Sequence, residues 1–377
     1  MTNSDNIAWC CLNKCFGANP AAGRRLAGRV NKPSDLFFMN GSLLREISGG
    51  AVPPGLGTRL FEETAAELEA LESRGCRFVG QPGLPELLRD CPDAPLGLYI
   101  KSSEPPELVL RRRPAIAVVG TRDVSSYGLH WCRKITKALA KSPAGPVIVS
   151  GLALGTDIAA HLAAMEDGAS TIAVLPSGIE SVYPARHSLY ADTICRSPGS
   201  ALVTDYPPGT VLYRGNFLRR NRIIAGLCHA VILIESRIHG GGMTTCRLAA
   251  SYNRVVFALP GRADDIRSAG CNRLIADQVA EIVFSESELL SRLGLPPALS
   301  EGALADPAAV LAGRLPPDDL CRIPALTGII GGNRGIGKDE LAQLMQMPAS
   351  RIQVMLTLLE TEGFIKTDIM GGCSLNT

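Results

Sequence analysis

Four arginines fall within nine positions in the second half of the chain, and residues 206 to 234 contain no acidic residue. The arginines and their polar and aromatic neighbours are Tyr213, Arg214, Asn216, Phe217, Arg219, Arg220, Asn221 and Arg222. Guanidinium groups bind phosphates and aromatic rings stack on bases, so this pattern is typical of a site for a single nucleic-acid strand. Two alternatives stay open, a solvated basic face with Phe217 in the core and a buried pairing of Arg220 or Arg222 with Glu235.

Glycine and hydroxyl residues follow several predicted strands. Glycine lets the backbone approach a phosphate closely, and the free N–H groups at the start of the next helix can donate to it. Such loops meet at the carboxyl edge of a parallel sheet, so their number predicts an anion site there. The candidate contacts in these loops are Gly120, Thr121, Arg122, Ser150, Gly151, Gly155, Thr156, Gly241, Gly242 and Thr244.

Two arrangements resemble enzyme motifs without meeting their requirements. The run from Gly332 to Asp339 has the glycines and lysine of a P-loop, but Asp339 stands where Ser or Thr must reach magnesium. Asp157 and His161 have the i, i+4 spacing of a base and its orienting partner, although a helix cap and a packed histidine are the favoured interpretation. We therefore predict no catalytic residue, no cofactor and a protein that is not an enzyme.

The composition describes a globular chain with no strong overall charge preference. Its 377 residues are 46% apolar and 20% charged, and the formal net charge is +2. The twelve cysteines contain no C-x-x-C pair, and Cys10, Cys11 and Cys15 have no neighbouring histidine, so no metal site is predicted. Without a signal peptide or an apolar run of about 20 residues, the sequence predicts reduced thiols, a cytoplasmic location and no membrane span.

The elements that must position these loops lie in the middle of the chain. Short β-branched, apolar runs alternate there with stretches long enough for a helix, which predicts a parallel sheet buried on both faces. We expect an α/β fold with a Rossmann-like doubly wound core over residues 108–294. The predicted strands are Ala115–Val119, Val147–Val149, Thr171–Leu175, Ala201–Thr204, Ala230–Ile234, Val255–Ala258 and Ile282–Phe284.

The flanking segments differ in character. Residues 1–75 predict a small helical domain, like a SAM or helix-hairpin-helix unit or a packing extension, and residues 76–107 a proline-rich connecting segment. Residues 295–325 read as a linker, and residues 326–377 predict a C-terminal winged helix. The candidate recognition helix, from Ser350 to Glu362, carries one arginine and two glutamates. That balance predicts that the winged helix does not hold DNA.

The motifs, taken in order, closely resemble the DNA-processing protein family known as DprA or Smf. The resemblance covers nearly all of residues 98–290. Its most specific part is the run from Arg220 to Leu227. The other matching motifs are Val119-Gly120-Thr121-Arg122, Tyr127-Gly128, Ser150-Gly151-Leu152-Ala153, Gly155-Thr156-Asp157, Ala160-His161, Thr171-Ile172-Ala173-Val174-Leu175, Gly178, Tyr183-Pro184, Asp205-Tyr206-Pro207, Phe217, Glu235, Pro260-Gly261 and Gly270-Cys271-Asn272-Arg273-Leu274-Ile275.

The resemblance implies a homodimer that binds and protects incoming single-stranded DNA without nucleotide hydrolysis and helps load the RecA recombinase during natural transformation. It implies that Arg122 and the segment from Phe217 to Arg222 line the DNA pocket, with backbone donors from the Ser150-Gly151 loop and the loop from Gly240 to Thr245. Two positions depart from the family: Asp205 stands where glutamate is usual, and the run from His239 to Cys246 replaces a serine-glycine-serine run.

The sequence leaves a second class of function open, that of a nucleotide-cleaving enzyme. The lysine-decarboxylase-like phosphoribohydrolases share a Rossmann core and a glycine-rich loop, and the run from Gly240 to Thr244 resembles that loop. Those enzymes need a glutamate just after the loop, where this chain has Thr245, Cys246 and Arg247. Glu235, before the loop, is the acid closest in sequence.

Overall fold

The computed structural model describes residues 3–49, 52–112, 114–296, 306–333, 335–367 and 371–375. The chain divides into two compact units, Met1–Pro297 and Ala298–Thr377. The predicted N-terminal helical domain is therefore part of the same unit as the predicted core.

Helices and strands alternate through most of the first unit. In chain order they are α1 (Ser4–Phe16), α2 (Pro20–Ala27), α3 (Gly41–Ser48), α4 (Thr58–Glu72), β1 (Cys76–Gly80), α5 (Glu86–Arg89), β2 (Gly97–Lys101), α6 (Pro106–Arg111), β3 (Ala115–Val119), α7 (Ser126–Ala140), β4 (Val147–Ser150), α8 (Thr156–Glu166), β5 (Thr171–Val174), α9 (Ser188–Arg196), β6 (Ala201–Thr204), α10 (Arg214–Leu227), β7 (Ala230–Leu233), α11 (Gly241–Ser251), β8 (Val255–Ala258), α12 (Ala269–Ala276), β9 (Glu281–Ile282) and α13 (Glu286–Arg292). Short 3₁₀ turns lie at Pro33–Phe37, Gln81–Gly83 and Ala185–His187.

One large sheet organises this unit. Its described strands lie in the order β1-β2-β6-β5-β4-β3-β7-β8-β9, and the seven from β6 to β9 in that order run parallel. The chain runs outward from β3 to β6 on one side and from β7 to β9 on the other. The predicted Rossmann-like, doubly wound α/β fold is confirmed. Its topological switch point lies between β3 and β7, where ligands of such sheets bind beyond the carboxyl ends of the strands.

The segment predicted as a connection, residues 76–107, instead extends the sheet. β1 pairs antiparallel with β2, and β2 pairs antiparallel with β6, with Tyr99 opposite Thr204. The sequence analysis missed this hairpin because the prolines between and after the two strands are typical of a connecting segment. Tyr99 is fully buried.

Helices cover both faces of the sheet. On one face, Ile116 and Ile148 pack with the apolar sides of α7, α8 and α13. On the other, Ala117 and Val149 pack with α10, α11 and α12. The N-terminal helices cover the end of the sheet formed by β1, β2 and β6, and the Cys10 Sγ atom of α1 lies 3.1 Å from the Tyr99 hydroxyl. The first helices thus bury their apolar side on the sheet.

The first described elements of the second unit are two short helices, and its described antiparallel strands lie in the order β10-β12-β11. Its described elements are α14 (Pro307–Val310), α15 (Pro317–Leu320), α16 (Ile323–Gly332), β10 (Ile336–Gly337), α17 (Lys338–Met345), α18 (Ala349–Thr361), β11 (Ile365–Thr367) and β12 (Gly372–Leu375). Of the predicted linker, residues 297–305 lie outside the described residues. Its later part forms α14 and α15 and buries Leu311 and Leu315 in the core of this unit.

The element order agrees with the predicted winged helix, and that assignment stays a prediction. All three charged residues of the candidate recognition helix lie at described positions, and Arg351 forms an ion pair with Asp319. The P-loop-like run does not have the structure of a P-loop. In a P-loop the second glycine belongs to the loop between a strand and a helix, whereas Gly337 belongs to β10, which pairs antiparallel with β12. No helix in the described part of the chain is both long and apolar enough to cross a membrane.

Candidate functional site

An open groove lies at the switch point, beyond the carboxyl ends of β3 and β7. Its volume is about 1190 Å³, larger than the roughly 300–1,000 Å³ usual for small-molecule pockets. The loop after β3, the helix α10, the start of α11 and the loop after β8 form its walls. A groove of this size and openness suits an extended ligand better than an enclosed small molecule.

The groove brings together nine of the fifteen predicted site residues. These are Gly120, Thr121, Arg122, Phe217, Arg220, Asn221, Gly241, Gly242 and Thr244. The other six lie outside its described lining and are Ser150, Gly151, Gly155, Thr156, Arg219 and Arg222. The prediction that all fifteen residues contact one ligand therefore needs correction, because only nine of them line the groove.

An arginine and two aromatic rings form one wall. The Arg122 guanidinium lies 4.7 Å from the centroid of the Phe217 ring. The Tyr183 ring meets Phe217 edge-on at 5.3 Å. Phe217 is half-buried, so it lines the groove and the alternative of a core phenylalanine does not hold. A cation–π contact in such a setting contributes about 0.5–1 kcal/mol and fixes the ring's orientation.

The helix α10 presents a polar and aromatic face to the groove. Its positions 214, 217, 221 and 224 follow helical spacing and all line the groove. The Asn221 side chain connects this helix to its neighbours, since Nδ2 donates to the Gly241 carbonyl at 3.4 Å and Oδ1 accepts from Arg220 Nε at 3.2 Å. Asn221 therefore ties α10 to the start of α11.

The first turn of α11 opens onto the groove. Gly240 caps this helix without any side-chain hydrogen bond. A Cβ atom on Gly241 would meet no atom within 4 Å, whereas one on Gly242 would lie 2.6 Å from Leu233 Cδ1. The first N–H groups of a helix lack partners within the helix, and they carry its positive dipole end. This end of α11 thus offers backbone donors to an anion.

Two predicted residues position the loop after β3 without lining the groove. The Thr156 backbone N–H and Oγ1 both donate to the Thr121 carbonyl at 3.2 Å. Gly155 has φ +74°, in the left-handed region, and a Cβ there would lie 2.5 Å from the carbonyl oxygens of Thr121 and Arg122. These residues hold the Gly120–Arg122 loop in place.

Arg220 lies at the floor of the groove, with 4% of its surface exposed. Its Nη1 donates to the carbonyls of Gly151, at 2.7 Å, and Val174. The predicted donor loop thus instead accepts a hydrogen bond, through Gly151, while Ser150 Oγ donates to Val118 O at 2.7 Å. Burial lowers the pKa of Arg220 to about 10, opposed chiefly by the negative charge of Asp157, so this guanidinium stays protonated at neutral pH.

Arg222 points away from the groove. Its side chain is 7% exposed, forms an ion pair with Asp205 and donates to the Asp93 carbonyl. Arg219 approaches the same Asp205 carboxylate at 3.8 Å and lies over the Tyr206 ring at 5.6 Å. Successive helix positions are rotated by about 100°, so the side chains of Arg219 and Arg222 lie on a different side of α10 from the residues that line the groove. The prediction that Arg222 lines the DNA pocket is wrong in its placement.

Glu235 has a structural partner in Ser125, the residue that caps the start of α7. Its fully buried carboxylate accepts from the Ser125 backbone N–H at 2.8 Å and from Ser125 Oγ at 2.5 Å. The suggested pairing of Arg220 or Arg222 with Glu235 is therefore wrong. The acid nearest in sequence to the glycine-rich loop caps a helix start and does not line the groove.

Asp157 and His161 have separate neighbours. Asp157 accepts from the Ala153 backbone N–H at 3.4 Å, and His161 Nδ1 lies 2.7 Å from Thr171 Oγ1. Burial lowers the pKa of His161 to about 3, so this imidazole is neutral at physiological pH. The histidine is packed as expected. Asp157 is not the expected helix cap, because α8 has no side-chain cap hydrogen bond and Asp157, in its first turn, accepts from a residue that precedes the helix. Among the described residues, no group of three or more potential metal ligands clusters together.

Sequence reasoning missed several residues of the groove. Tyr183 lies between β5 and α9, Arg237 and Ile238 follow β7, and Ile266 precedes α12. Tyr183 and Ile266 stand in loops whose nearby residues give no phosphate-binding pattern, so only the sheet order brings these two residues to the site. For Arg237 and Ile238 a signal existed, because they stand within three residues of Gly240, where the predicted phosphate loop begins.

The sheet order and the arginine-lined groove define a Rossmann-like α/β protein with an open groove at its switch point. The family model for DNA recombination-mediator protein A matches residues 76–294. The chain therefore belongs to the DprA/Smf family, as its motifs predicted.

Named relatives agree with this assignment. Protein Smf of Synechocystis is 34% identical over 80% of this chain and 76% of that protein. DNA processing protein DprA of Streptococcus pneumoniae is 38% identical over 66% of this chain and 85% of that protein, and its crystal structure superposes with a TM-score of 0.61 over 74% of this chain and 95% of that one. DprA of Helicobacter pylori, whose structure is described for its single-stranded DNA binding mode, is 28% identical, with a TM-score of 0.52 over 58% of this chain and 95% of that one.

Proposed function

We propose that the switch-point groove binds single-stranded DNA. The observation that carries the proposal is the arginine-on-aromatic wall of Arg122 and Phe217, which faces the open first turn of α11. This arrangement offers a phosphate ligand and a stacking ring within one groove, which are the two elements that single-strand binding uses.

The charges of the groove favour a polyanion. Its described lining contains four arginines and a single acidic residue: Arg122, Arg214, Arg220, Arg237 and Asp157. The chain as a whole is nearly neutral, so this local excess is a property of the site. It would attract phosphates even though the net charge gives no such attraction.

The aromatic residues favour a single strand over a duplex. Phe217 and Tyr183 are in edge contact, and Tyr213, also in the lining, is 61% exposed. A base can stack on such a ring only when it is free of its own stack, and each stacked base contributes about 1–3 kcal/mol. In a duplex the base faces are already covered.

Family membership supports the cellular role. The Helicobacter pylori relative is described as binding single-stranded DNA. We infer that this chain protects incoming single strands and helps load the RecA recombinase in recombination and natural transformation. We also infer that it acts in the cytoplasm as a homodimer and has no catalytic activity of its own. The phosphoribohydrolase alternative gains no support from Glu235, which is held by Ser125 outside the groove.

The direct test compares strands. A labelled oligo-dT and a duplex of equal length are titrated with the full chain and followed by fluorescence anisotropy. We expect clear preference for the single strand, at least a tenfold loss for Arg122→Ala and no loss for Arg262→Ala. Arg262 is a matched control, since it is an exposed loop arginine paired with Asp264. Equal affinity for both forms, or an unaffected Arg122→Ala variant, would overturn the proposal.

The RecA role has its own assay. Recombinase filament formation is followed on a single strand covered with single-strand-binding protein, with and without this chain. We expect faster filament formation with the wild-type chain and not with Arg122→Ala. Release of base from nucleoside monophosphates would instead support the hydrolase.

A further inference from the structure

Two loops at the rim of the groove each place an arginine beside an exposed isoleucine. Arg237-Ile238 lies between β7 and α11, and Ile266-Arg267 lies between β8 and α12. Ile238 is 45% exposed and Ile266 60% exposed, and both line the groove. An arginine and an exposed apolar side chain on adjacent positions match the phosphate and the base of a nucleotide. We call these four residues the rim.

A carboxylate from a third loop joins the two rim arginines. Asp123 follows Arg122 directly, and its Oδ2 lies 3.2 Å from Arg267 Nη2 and 3.9 Å from Arg237 Nη2. The Arg267 Nε also donates to the Asp123 backbone carbonyl at 3.2 Å. One anion thus lies between two cations from separate loops, next to the arginine of the groove wall.

These ion pairs are exposed and therefore weak. The side chains are 66% exposed at Asp123, 60% at Arg237 and 39% at Arg267. Exposed pairs of this kind are readily exchanged for another anion, because water and salt screen them. A second carboxylate lies close by, since Asp265 Oδ1 accepts from the Arg267 backbone N–H at 2.9 Å. With Arg122 included, three guanidinium groups stand against two carboxylates, so the cluster keeps an excess positive charge.

We propose that the rim is an extension of the strand-binding site and that Asp123 holds the place of a backbone phosphate in the free protein. A strand leaving the groove would pass between Ile238 and Ile266 and exchange one of its phosphates for the Asp123 carboxylate. Asp123 is then a built-in competitor that weakens binding. This inference rests on the proposed single-strand binding and adds to it a second contact region and a residue that limits affinity.

The test is to remove the competitor's charge. Asp123→Asn is expected to bind long oligo-dT about two- to tenfold more tightly than the wild type, because both rim arginines become available to phosphate. Asp277→Asn is the matched control: it removes the same charge from an exposed carboxylate at the end of α12 that is paired with an exposed arginine, Arg273, outside the groove's described lining. An equal gain in both variants would reduce the effect to net charge and overturn the proposal, as would weaker binding by Asp123→Asn.

Strand length provides a second measurement. The Arg267→Ala variant removes the rim arginine that lies outside the groove's described lining, so it should lower the slope of log affinity against log salt by about 0.7, one phosphate contact, on long oligo-dT. Its deficit in affinity should disappear on oligonucleotides too short to leave the groove. A deficit that is the same at every length would overturn the rim as an extension. If the wild type binds no single strand, the proposed function itself is wrong. If the wild type binds but the rim variants have the same affinity as the control variant, the proposed function stands and only the rim is excluded as a contact region.

Discussion

Arg222 gives the sharpest test of how the site is built. In Arg222→Ala, Asp205 would lose its closest cationic partner while its side chain stays 2% exposed. Its Oδ1 has no hydrogen-bond partner, and Arg219, at 3.8 Å, is too distant for a good hydrogen bond. The variant therefore leaves a nearly unpaired charge in the interior.

Breaking a buried ion pair from one side costs about 3–5 kcal/mol. Because Arg219 remains near the carboxylate, we expect the lower end, about 3 kcal/mol, which corresponds to a fall of roughly 6–12 °C in the unfolding midpoint. Removing both charges, in Arg222→Met/Asp205→Leu, should recover much of this loss, since no charge is then left without a partner.

The assay pairs thermal unfolding with oligo-dT binding, the latter measured at a temperature where every variant is folded. We expect a lower midpoint for Arg222→Ala and an affinity within about twofold of the wild type, because Arg222 lies outside the groove lining. An unchanged midpoint together with a tenfold loss of affinity would refute the reasoning and indicate that Arg222 contacts the DNA.

Three further predictions follow. Phe217→Ala should weaken oligo-dT binding by about 1–3 kcal/mol and Phe217→Tyr should not, as measured by anisotropy; equal affinities would exclude stacking on this ring. Since the folded-state pKa of His161 is about 3 and the unfolded value about 6.5, the unfolded chain binds the proton first, and stability is lost as pH falls below 6.5. The urea midpoint of the wild type should therefore fall between pH 7 and 4.5 by more than that of His161→Gln. Burial raises the pKa of Asp157, which contributes to the pH dependence with the opposite sign and does so equally in both proteins. Parallel curves for the two proteins would contradict the His161 assignment. A chain truncated after Pro296 should bind a single strand as tightly as the whole chain, because Arg351 of α18 is already paired with Asp319; collapse of affinity in a folded fragment would show that the second unit holds DNA.

Sequence reasoning recovers the parallel sheet because its strands are buried on both faces and so contain unbroken apolar runs. It also places Arg122 and Phe217 correctly in the groove, since residues that follow β3 or begin α10 meet at the switch point. It misses β1 and β2, because these antiparallel strands have prolines and turns around them. The burial of Tyr99 becomes visible only when the N-terminal helices pack on it.

The arginines of α10 show where a linear pattern stops being informative. Arg220 and Arg222 are two positions apart, yet one lies at the groove floor and the other pairs with Asp205 on the far side of the helix. Their roles depend on an acid seventeen residues away from Arg222 and on the carbonyls of Gly151, just after β4, and Val174, at the end of β5. A basic cluster predicts anion binding, but only the packing of the helix decides which members take part.

The measurement that tests the central claim most directly is the salt dependence of oligo-dT affinity for the wild type and Arg122→Ala. If phosphates are held in the groove, log affinity falls linearly with log salt, by about 0.7 per phosphate contacted, and the slope for Arg122→Ala is smaller by about one contact. An affinity that does not change between low and moderate salt, or an Arg122→Ala slope equal to that of the wild type, would contradict strand binding through this groove.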